Sequence, residues 1–293
     1  MDRSSVLKLG VPKGSLQDAT IKLFENSGWK IKLHHRNYFP DINDPEIHCS
    51  LCRAQEMPVY IEDGTLDVGL TGKDWILENE AEVVTVSELI YSKTSNRPAR
   101  WVLAVAGNSS YQRPEDLAGK KIATELEHFT RTYFQNADIP VEVEFSWGAT
   151  EAKVVSGLAD AIVEVTETGT TIKAHGLRII AELLVTSTRL IANKLAWEEP
   201  WKKQKIQQMN VLLQGALRAE KMVGLKMNVR ESDLDVVLKL LPSITSPTMA
   251  GLRQKGWVSI EIIVDENIVR DLVPELMAIG VEGIIEYPLN KVI

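Results

Sequence analysis

Residues 161–171 read AIVEVTETGTT, an apolar run that passes into two carboxylates and then into a small turn rich in hydroxyl groups. The apolar run predicts a buried strand, and the turn that follows it predicts the start of a helix. Strands that alternate with helices are typical of α/β folds with a mostly parallel sheet. This stretch therefore indicates the fold class of the chain around it.

The same alternation of apolar runs and helical periods continues through the first 200 residues, in two sets. The first set runs from Val6–Val11 to Val83–Val86, and the second begins at Trp101–Ala106. We predict two α/β lobes of similar size with a cleft between them. Lobe I comprises residues 1–95 and 180–200, and lobe II comprises residues 96–179.

The remaining residues predict a long helix and then a compact tail module. Residues 201–220 predict a connecting helix, because Ile206, Met209 and Leu213 recur at spacings of three and four. Residues 221–293 read as strand, helix, two strands, helix and strand. This βαββαβ order is typical of a ferredoxin-like module.

The charge balance excludes some classes of function. The chain carries 33 Lys and Arg residues against 40 Asp and Glu residues, a formal net charge of −7. This acidic balance argues against a protein that binds nucleic acid or a membrane surface. No apolar stretch approaches the roughly 20 residues that a membrane span needs, and the first residues lack the apolar core of a signal peptide. We therefore expect a cytoplasmic protein.

Two cysteines, Cys49 and Cys52, lie close together in the sequence. Their spacing suits a redox pair or half of a zinc site, for which His34, His35 and His48 are near enough to supply further ligands. The chain has no second cysteine pair, so two plain thiols are the simpler interpretation.

The turn after the strand at 161–165 has the parts of an anion-binding cradle. Free backbone N–H groups at a helix start, a glycine that allows close approach and three threonine hydroxyls are together suited to bind a monophosphate. The two carboxylates just upstream are suited to hold sugar hydroxyls, or a magnesium ion that a phosphorylated ligand brings with it. A strand followed by a threonine-capped helix would also have this sequence, without any ligand. The candidate residues are Glu164, Glu167, Thr168, Gly169, Thr170 and Thr171.

Three charged residues elsewhere are further candidates. Lys13 follows the first predicted strand, at the carboxyl end where α/β sheets bind ligands. Arg53 ends another apolar segment, and its planar guanidinium suits phosphate oxygens. Either cation would also be at home on a solvated surface. Asp74 falls in the first turn of a predicted helix, where it either complements the helix dipole or accepts a hydrogen bond from the amino group of a base.

Residues 151–171, EAKVVSGLADAIVEVTETGTT, resemble the characteristic motif of the ATP phosphoribosyltransferases. The Glu-x5-Gly-x-Ala-Asp-x-Ile spacing and the terminal Thr-Gly-x-Thr are both present, although the family usually has Asp where this chain has Glu164. The similarity extends to LGVPKGSL near the start, to residues 53–74 and 116–125, and to Ser-Pro-Thr at 246–248. With its tail module, the chain is similar to the long form of this family.

The resemblance implies a two-lobed, periplasmic-binding-protein-like catalytic core with a C-terminal ferredoxin-like (ACT-like) regulatory domain. It implies that the enzyme transfers the ribosyl 5-phosphate of phosphoribosyl pyrophosphate to N1 of the adenine of ATP. The reaction uses Mg²⁺, releases pyrophosphate and is the first step of L-histidine biosynthesis. The resemblance further implies feedback inhibition by histidine and a homo-oligomer, from dimer to hexamer.

The resemblance also assigns residue roles. Glu164 through Thr171 would form the cradle for the ribose 5-phosphate, while Lys13 and Arg53 would face the polyphosphates. Asp74 would lie near the nucleotide, and Glu151 is either a polar contact or a helix cap. No side chain is predicted as a metal ligand.

In the tail, the resemblance makes Ser246 and Thr248 candidates for the histidine site. They belong to a Pro/Ser/Thr loop over 242–248 that would otherwise only join a helix to a strand.

Two other functions of the whole chain compete with this interpretation. A nucleobase phosphoribosyltransferase shares the Glu-x-x-Glu-Thr-Gly-x-Thr pattern but has no counterpart of the tail, and a non-catalytic two-lobed ligand-binding protein would explain the lobes but not the cradle.

Overall fold

The computed structural model describes residues 6–34, 37–91, 98–242 and 246–293. The described chain divides into two compact units, of which the second comprises Asn26–Gly28 and Val211–Ile293 and the first comprises the rest. The first unit holds two five-stranded sheets, and the second holds a four-stranded sheet. No helix within these ranges combines the length and the apolar character needed to cross a membrane.

Short strands and helices alternate from the first strand to the long helix. In chain order these elements are β1 (Leu7–Lys13), α1 (Gln17–Ser27), β2 (Ile31–Lys32), β3 (Asp41–Ile42), β4 (Ile47–Arg53), α2 (Met57–Glu62), β5 (Val68–Gly72), α3 (Lys73–Glu78), β6 (Val84–Leu89), β7 (Ala99–Ala106), β8 (Lys121–Thr124), α4 (Glu127–Asn136), β9 (Glu142–Phe145), α5 (Thr150–Val155), β10 (Ala161–Thr166), α6 (Thr170–Ala174), β11 (Leu177–Thr186), β12 (Thr188–Ala192), α7 (Lys194–Glu198) and α8 (Pro200–Ala219).

Both large sheets are mostly parallel. The first has the order β4-β1-β5-β12-β6, and only β12 runs against the other strands. The second has the order β11-β7-β10-β8-β9, and only β7 runs against the others. The chain passes from the first sheet to the second after β6 and returns after β11. The predicted two-lobed α/β core is therefore confirmed.

The lobe boundary predicted at residue 180 lies inside β11, a strand of the second sheet. β11 pairs with β7 as far as Thr186, and β12 enters the first sheet at Thr188. The chain thus crosses back between the lobes at Ser187, because the apolar run of β11 is longer than the sequence pattern suggests.

Two glycines allow helix α2 to pack directly on the first sheet. Gly10 of β1 and Gly69 of β5 are register partners, and a Cβ on either would lie 2.3 or 2.5 Å from the Met57 sulfur. Met57 and Ile61 are fully buried in the space that the glycines leave. This packing holds α2 just after Arg53 and so holds the end of β4 in place.

The two cysteines lie on β4, three positions apart, so their side chains leave opposite faces of the strand. Both are free thiols, and burial raises the pKa of Cys49 and of Cys52 to about 12. Across the described residues, no group of three or more His, Cys, Asp and Glu side chains is placed to hold a metal ion. His35, one of the suggested zinc ligands, lies outside the described residues. Two plain thiols therefore remain the simpler interpretation.

Helix α8 is anchored to the first lobe by ion pairs. The Lys202 ammonium lies 3.0 Å from an Asp67 carboxylate oxygen, and the other Asp67 oxygen accepts a hydrogen bond of 2.8 Å from the Lys8 N–H. One turn further along, Lys205 pairs with Asp44 at 2.8 Å. The first half of the predicted connecting helix is therefore part of the first unit.

The second unit contains the βαββαβ module that the tail sequence predicts. Its elements are β13 (Met222–Arg230), α9 (Leu234–Leu240), β14 (Thr248–Gly251), β15 (Trp257–Asp265), α10 (Glu266–Ile279) and β16 (Glu282–Pro288). The sheet has the order β14-β15-β13-β16 with antiparallel neighbours throughout. Its core joins alternate residues of β13 and β15 to the apolar faces of α9 and α10.

We expect Asp67→Ala to lower the free energy of unfolding by about 1–3 kcal/mol, because the Lys8 N–H loses its buried acceptor and Lys202 keeps only the half-exposed Glu199 carboxylate at 3.4 Å. Urea unfolding followed by circular dichroism measures the difference. The exposed pair Lys22–Glu25, 3.0 Å apart, supplies the control. Glu25→Ala should cost less than about 0.5 kcal/mol, and equal losses in the two variants would contradict a buried anchor.

Candidate active site

The two lobes enclose a cleft of about 1220 Å³. The carboxyl ends of β1, β4 and β5 line it from the first lobe, and those of β8 and β10 line it from the second. Ligands of α/β sheets bind at this end of the strands. Because clefts for a single small ligand measure about 300–1,000 Å³, this one has room for more than one substrate.

The structure brings six of the ten residues predicted for this site to the cleft wall. The residues that line it are Lys13, Arg53, Asp74, Glu167, Thr168 and Thr171. The other four, Glu151, Glu164, Gly169 and Thr170, do not line it.

Lys13 and Arg53 stand side by side at one edge of the first sheet. β1 and β4 pair in parallel with Lys13 directly opposite Arg53, so each strand ends in a cation at the cleft. Among the residues that the structure describes, no carboxylate lies within ion-pair distance of either. Two adjacent cations without a nearby carboxylate are suited to bind a polyanion.

Each of these cations instead lies over an aromatic ring. The Lys13 Nζ is 4.4 Å from the centre of the Tyr38 ring, and the Arg53 Cζ is 4.7 Å from the centre of the Trp147 ring. Tyr38 lines the cleft from the first lobe, whereas Trp147 belongs to the second lobe. The contact of Arg53 with Trp147 therefore spans the cleft.

The predicted cradle binds a phosphate with free backbone N–H groups. In the turn after β10, two of these N–H groups instead donate to hydroxyls of the turn itself. Gly169 has a φ of +78°, a conformation that glycine adopts without strain. Its N–H donates to the Thr166 hydroxyl at 2.8 Å, and the Thr170 N–H points at the Thr168 hydroxyl at 3.4 Å. These two amides are thus used within the turn. The groups that the turn offers to the cleft are the exposed hydroxyls of Thr168 and Thr171.

Glu164 lies behind this turn, in an environment that disfavours its charge. Burial raises its pKa to about 7, and the nearby carboxylates of Glu151 and Glu125 act in the same direction. One of its oxygens accepts a hydrogen bond of 3.1 Å from the Val165 N–H, which favours the ionised form. At neutral pH this carboxyl is therefore close to half-protonated.

Asp74 is buried, with protein donors at both of its carboxylate oxygens. One oxygen accepts from the Trp101 indole N–H at 2.6 Å and the other from the Trp75 N–H at 3.1 Å. Burial raises the pKa of Asp74, and the Trp101 hydrogen bond opposes that effect. Since Trp101 lies on β7, this carboxylate joins the first lobe to the second. The contact lies beside the crossovers, the two places where the chain passes between the sheets.

Sequence reasoning missed several cleft residues. Glu125, at the end of β8, lines the cleft, and its position after a parallel strand was a usable signal. The crossover at Thr186–Thr188 lines it as well. Tyr38 and Trp101 had no local signal, because their roles come from contacts with residues 25 or more positions away in the chain.

In the second unit, Ser246 and Thr248 are both exposed. Thr248 begins β14, and its register partner on β15 is Glu261. The Tyr287 hydroxyl hydrogen-bonds to the same Glu261 carboxylate. A hydroxyl and a carboxylate thus lie together on this face of the sheet.

Adjacent unpaired cations, a hydroxyl-rich turn and a two-lobed α/β core define a protein that handles phosphorylated ligands. A family model described as ATP phosphoribosyltransferase matches residues 53–215, and a second, described as HisG, C-terminal domain, matches residues 219–291. The chain therefore belongs to the ATP phosphoribosyltransferase family, in its long form. It is a glycosyltransferase of histidine biosynthesis, and the family uses a divalent metal ion.

Individual relatives agree with this assignment. The chain is 72% identical to the ATP phosphoribosyltransferase of Solidesulfovibrio magneticus and 69% identical to that of Nitratidesulfovibrio vulgaris, with 100% of both chains covered in each case. A solved structure, the ATP phosphoribosyl transferase (HisG:HisZ) complex from Thermotoga maritima, matches at 25% identity with a TM-score of 0.62. That match covers 71% of this chain and 98% of the other. Similarity over the full length favours this family over both competing functions.

We expect Trp101→Phe to lower the free energy of unfolding by about 1–3 kcal/mol, because the buried Asp74 carboxyl loses its indole donor. Urea unfolding followed by circular dichroism measures the difference. In an Asp74→Asn background the same change should cost less, and an equal loss in both backgrounds would contradict this role of the indole.

Proposed function

We propose that this cleft transfers the ribosyl 5-phosphate of phosphoribosyl pyrophosphate to N1 of the adenine of ATP, releasing pyrophosphate. The observation that carries the proposal is the pair of unpaired cations, Lys13 and Arg53, on the wall opposite the hydroxyl-rich turn. A site with one cationic wall and one hydroxyl-rich wall suits a substrate that has a pyrophosphate at one end and a monophosphate at the other.

The chemistry needs cations where negative charge develops. Displacement at the anomeric carbon passes through an oxocarbenium-like state, and charge builds on the departing pyrophosphate. Lys13 and Arg53 stabilise that charge, and alignment of the two substrates supplies the remaining acceleration. N1 of adenine is already a nucleophile, so the reaction requires no side-chain nucleophile.

The second lobe holds the sugar phosphate in this proposal. The hydroxyls of Thr168 and Thr171 donate to the 5-phosphate, with Gly169 and Thr170 shaping the turn that presents them. Glu167 contacts the ribose hydroxyls. Glu164 and Glu151 lie behind them, where they influence the site through their charge.

We assign the divalent metal as Mg²⁺, held mainly by the phosphates of the substrates. Mg²⁺ in proteins is usually bound by one or two carboxylates together with substrate phosphates and water. Glu125 and Glu167 both line the cleft, so the residues present fit this mode. When bound, the metal neutralises charge on the pyrophosphate.

Asp74 keeps its predicted place near the nucleotide, but its own carboxylate is engaged by Trp101 and Trp75. It therefore acts by holding the wall on which the base rests. This assignment takes the place of a hydrogen bond from Asp74 to the base amino group.

The C-terminal module is proposed to bind L-histidine as a feedback inhibitor. Thr248 and Glu261 face each other across two strands, and this pairing of a hydroxyl with a carboxylate suits an amino acid's polar groups. Ser246 precedes this strand and is exposed beside it. A cytoplasmic homo-oligomer, from dimer to hexamer, completes the proposal.

Pyrophosphate release tests the function directly. With Mg²⁺, ATP and phosphoribosyl pyrophosphate, we expect release that requires ATP and is not supported by a free nucleobase in its place. L-Histidine should slow it, and Thr248→Val should raise the histidine concentration needed for half inhibition by about tenfold, the equivalent of one hydrogen bond. Release only with a free base would contradict the choice of acceptor.

The pKa of Glu164 leads to a prediction about pH. If its ionised form supports sugar binding, kcat/KM should rise with pH through about 7, the pKa of this carboxyl in the folded chain. Glu164→Gln should lower kcat/KM at pH 8 and abolish the rise.

The control for this prediction is Glu142→Gln, an exposed carboxylate on β9, which should leave the profile unchanged. The free energy of unfolding should change with pH in the direction opposite to kcat/KM. A carboxyl whose pKa is raised by folding binds its proton more tightly in the native state, so wild-type stability falls between about pH 4.5 and 7. Glu164→Gln should flatten that slope, and an unaltered pH–activity profile in this variant would rule out the role.

A further inference from the structure

An exposed tryptophan reaches across the cleft to one of its two free cations. Trp147 lies between β9 and α5 in the second lobe, and its side chain is 60% exposed. Its ring nevertheless lies under the guanidinium of Arg53, which belongs to the first lobe, at 4.7 Å. With the exposed ring of Phe145, Trp147 forms an aromatic pair on the surface beside Arg53.

The topology shows where this contact falls. β4, which ends at Arg53, is one edge of the first sheet, and β9, which precedes Trp147, is one edge of the second. The chain crosses between the lobes after β6 and after β11, which are the opposite edges. The contact therefore joins the two lobes on the side of the cleft away from the crossovers.

We propose that Trp147 is a positioning residue for Arg53, which it holds with its N–H groups directed toward the polyphosphate. This proposal rests on the function given above. A guanidinium is planar: it stacks on a ring through its face, while its five N–H donors point outward in the plane. Stacking on Trp147 therefore leaves the donor edge free for phosphate oxygens and reduces the rotational freedom that Arg53 would lose on binding them.

The shape of the loop supports this role. Gly148 and Ala149, which follow the tryptophan, both have positive φ values of +65° and +50°. A left-handed conformation is strained for alanine because of its Cβ. The Phe145 ring contacts Trp147 edge-on at 6.2 Å. The chain thus accepts a strained residue in a turn that presents the ring to Arg53.

Within the described part of the second lobe, no carboxylate lies within ion-pair distance of Arg53, and its partner there is a ring instead. A carboxylate would occupy the donor edge and compete with phosphate, whereas a ring occupies only the face. Another pair of a cation and a tryptophan ring, Lys203 over Trp197 at 5.1 Å, is formed by residues outside the cleft lining. It provides a matched control.

The test is a double-mutant cycle on kcat/KM for pyrophosphate release. Trp147→Leu should lower kcat/KM by about two- to fivefold, the range for an exposed cation–π contact, and Trp147→Phe should recover most of the loss. In an Arg53→Ala background, Trp147→Leu should have no further effect. Trp197→Leu should leave the rate within the error of wild type.

Calorimetric binding of Mg²⁺-pyrophosphate gives a readout that does not depend on turnover. Trp147→Leu should weaken this binding by a similar factor, again only when Arg53 is present. If Trp147→Leu weakens the binding equally in the Arg53→Ala background, the ring supports only the loop and the proposal is overturned. If Trp147→Leu does not weaken the binding at all, the proposal is overturned as well. If wild type binds pyrophosphate with this pattern but releases none from the two substrates, the proposed function fails while the positioning role stands.

Discussion

The parallel register of β1 and β4 is the constraint on which the site depends. It carries two cations to the same sheet edge, Lys13 opposite Arg53, and no carboxylate in the described part of the chain lies within ion-pair distance of either. Like charges held side by side repel each other and lower the stability of the empty protein. A bound polyphosphate would remove that repulsion. The free energy that the repulsion costs the empty protein would then add to the affinity for the ligand. Gly10, Gly69 and Met57 contribute to this arrangement, because they hold helix α2 against the end of β4.

The two walls of the cleft differ in the charged groups that they carry. Both cations of the described lining, Lys13 and Arg53, come from the first lobe, which also contributes the carboxylates of Glu56 and Asp74. The described lining from the second lobe has hydroxyls and carboxylates, including Thr168 and Glu125, but no cation. A leaving group that gains negative charge needs the first kind of wall. A monophosphate that keeps its charge throughout the reaction needs only fixed donors, and the sugar between them needs acceptors. Burial behind the second wall raises the pKa of Glu164, and the nearby carboxylates of Glu151 and Glu125 raise it further.

Local periodicity was enough to predict the alternation of strands and helices and the βαββαβ tail, because each of these patterns is complete within about ten residues. It did not separate β12 from β11, and the predicted lobe boundary therefore fell inside β11. The motif at 161–171 likewise identified the turn at the cleft. What it could not reveal was which amides the turn would use for itself, since that depends on the rotamers of Thr166 and Thr168. Contacts between residues distant in the sequence could not be predicted either. The contacts of Trp101 with Asp74 and of Trp147 with Arg53 join segments that only the folded sheets bring together.

These two tryptophan contacts hold the lobes together with unequal strength. The hydrogen bond from Trp101 to Asp74 is buried beside the crossovers, and losing it would cost about 1–3 kcal/mol because an acceptor would remain unsatisfied. The stack of Arg53 on Trp147 is exposed on the other side and contributes about 0.5–1 kcal/mol. A third contact joins the lobes at α3 and α4, where the two Glu78 carboxylate oxygens accept from the N–H groups of His128 and Phe129 at 2.9 Å. Hydrogen bonds to a charged group contribute about 1.5–3 kcal/mol, so the stack at Arg53 is the weakest of these three contacts and its loss costs the least free energy.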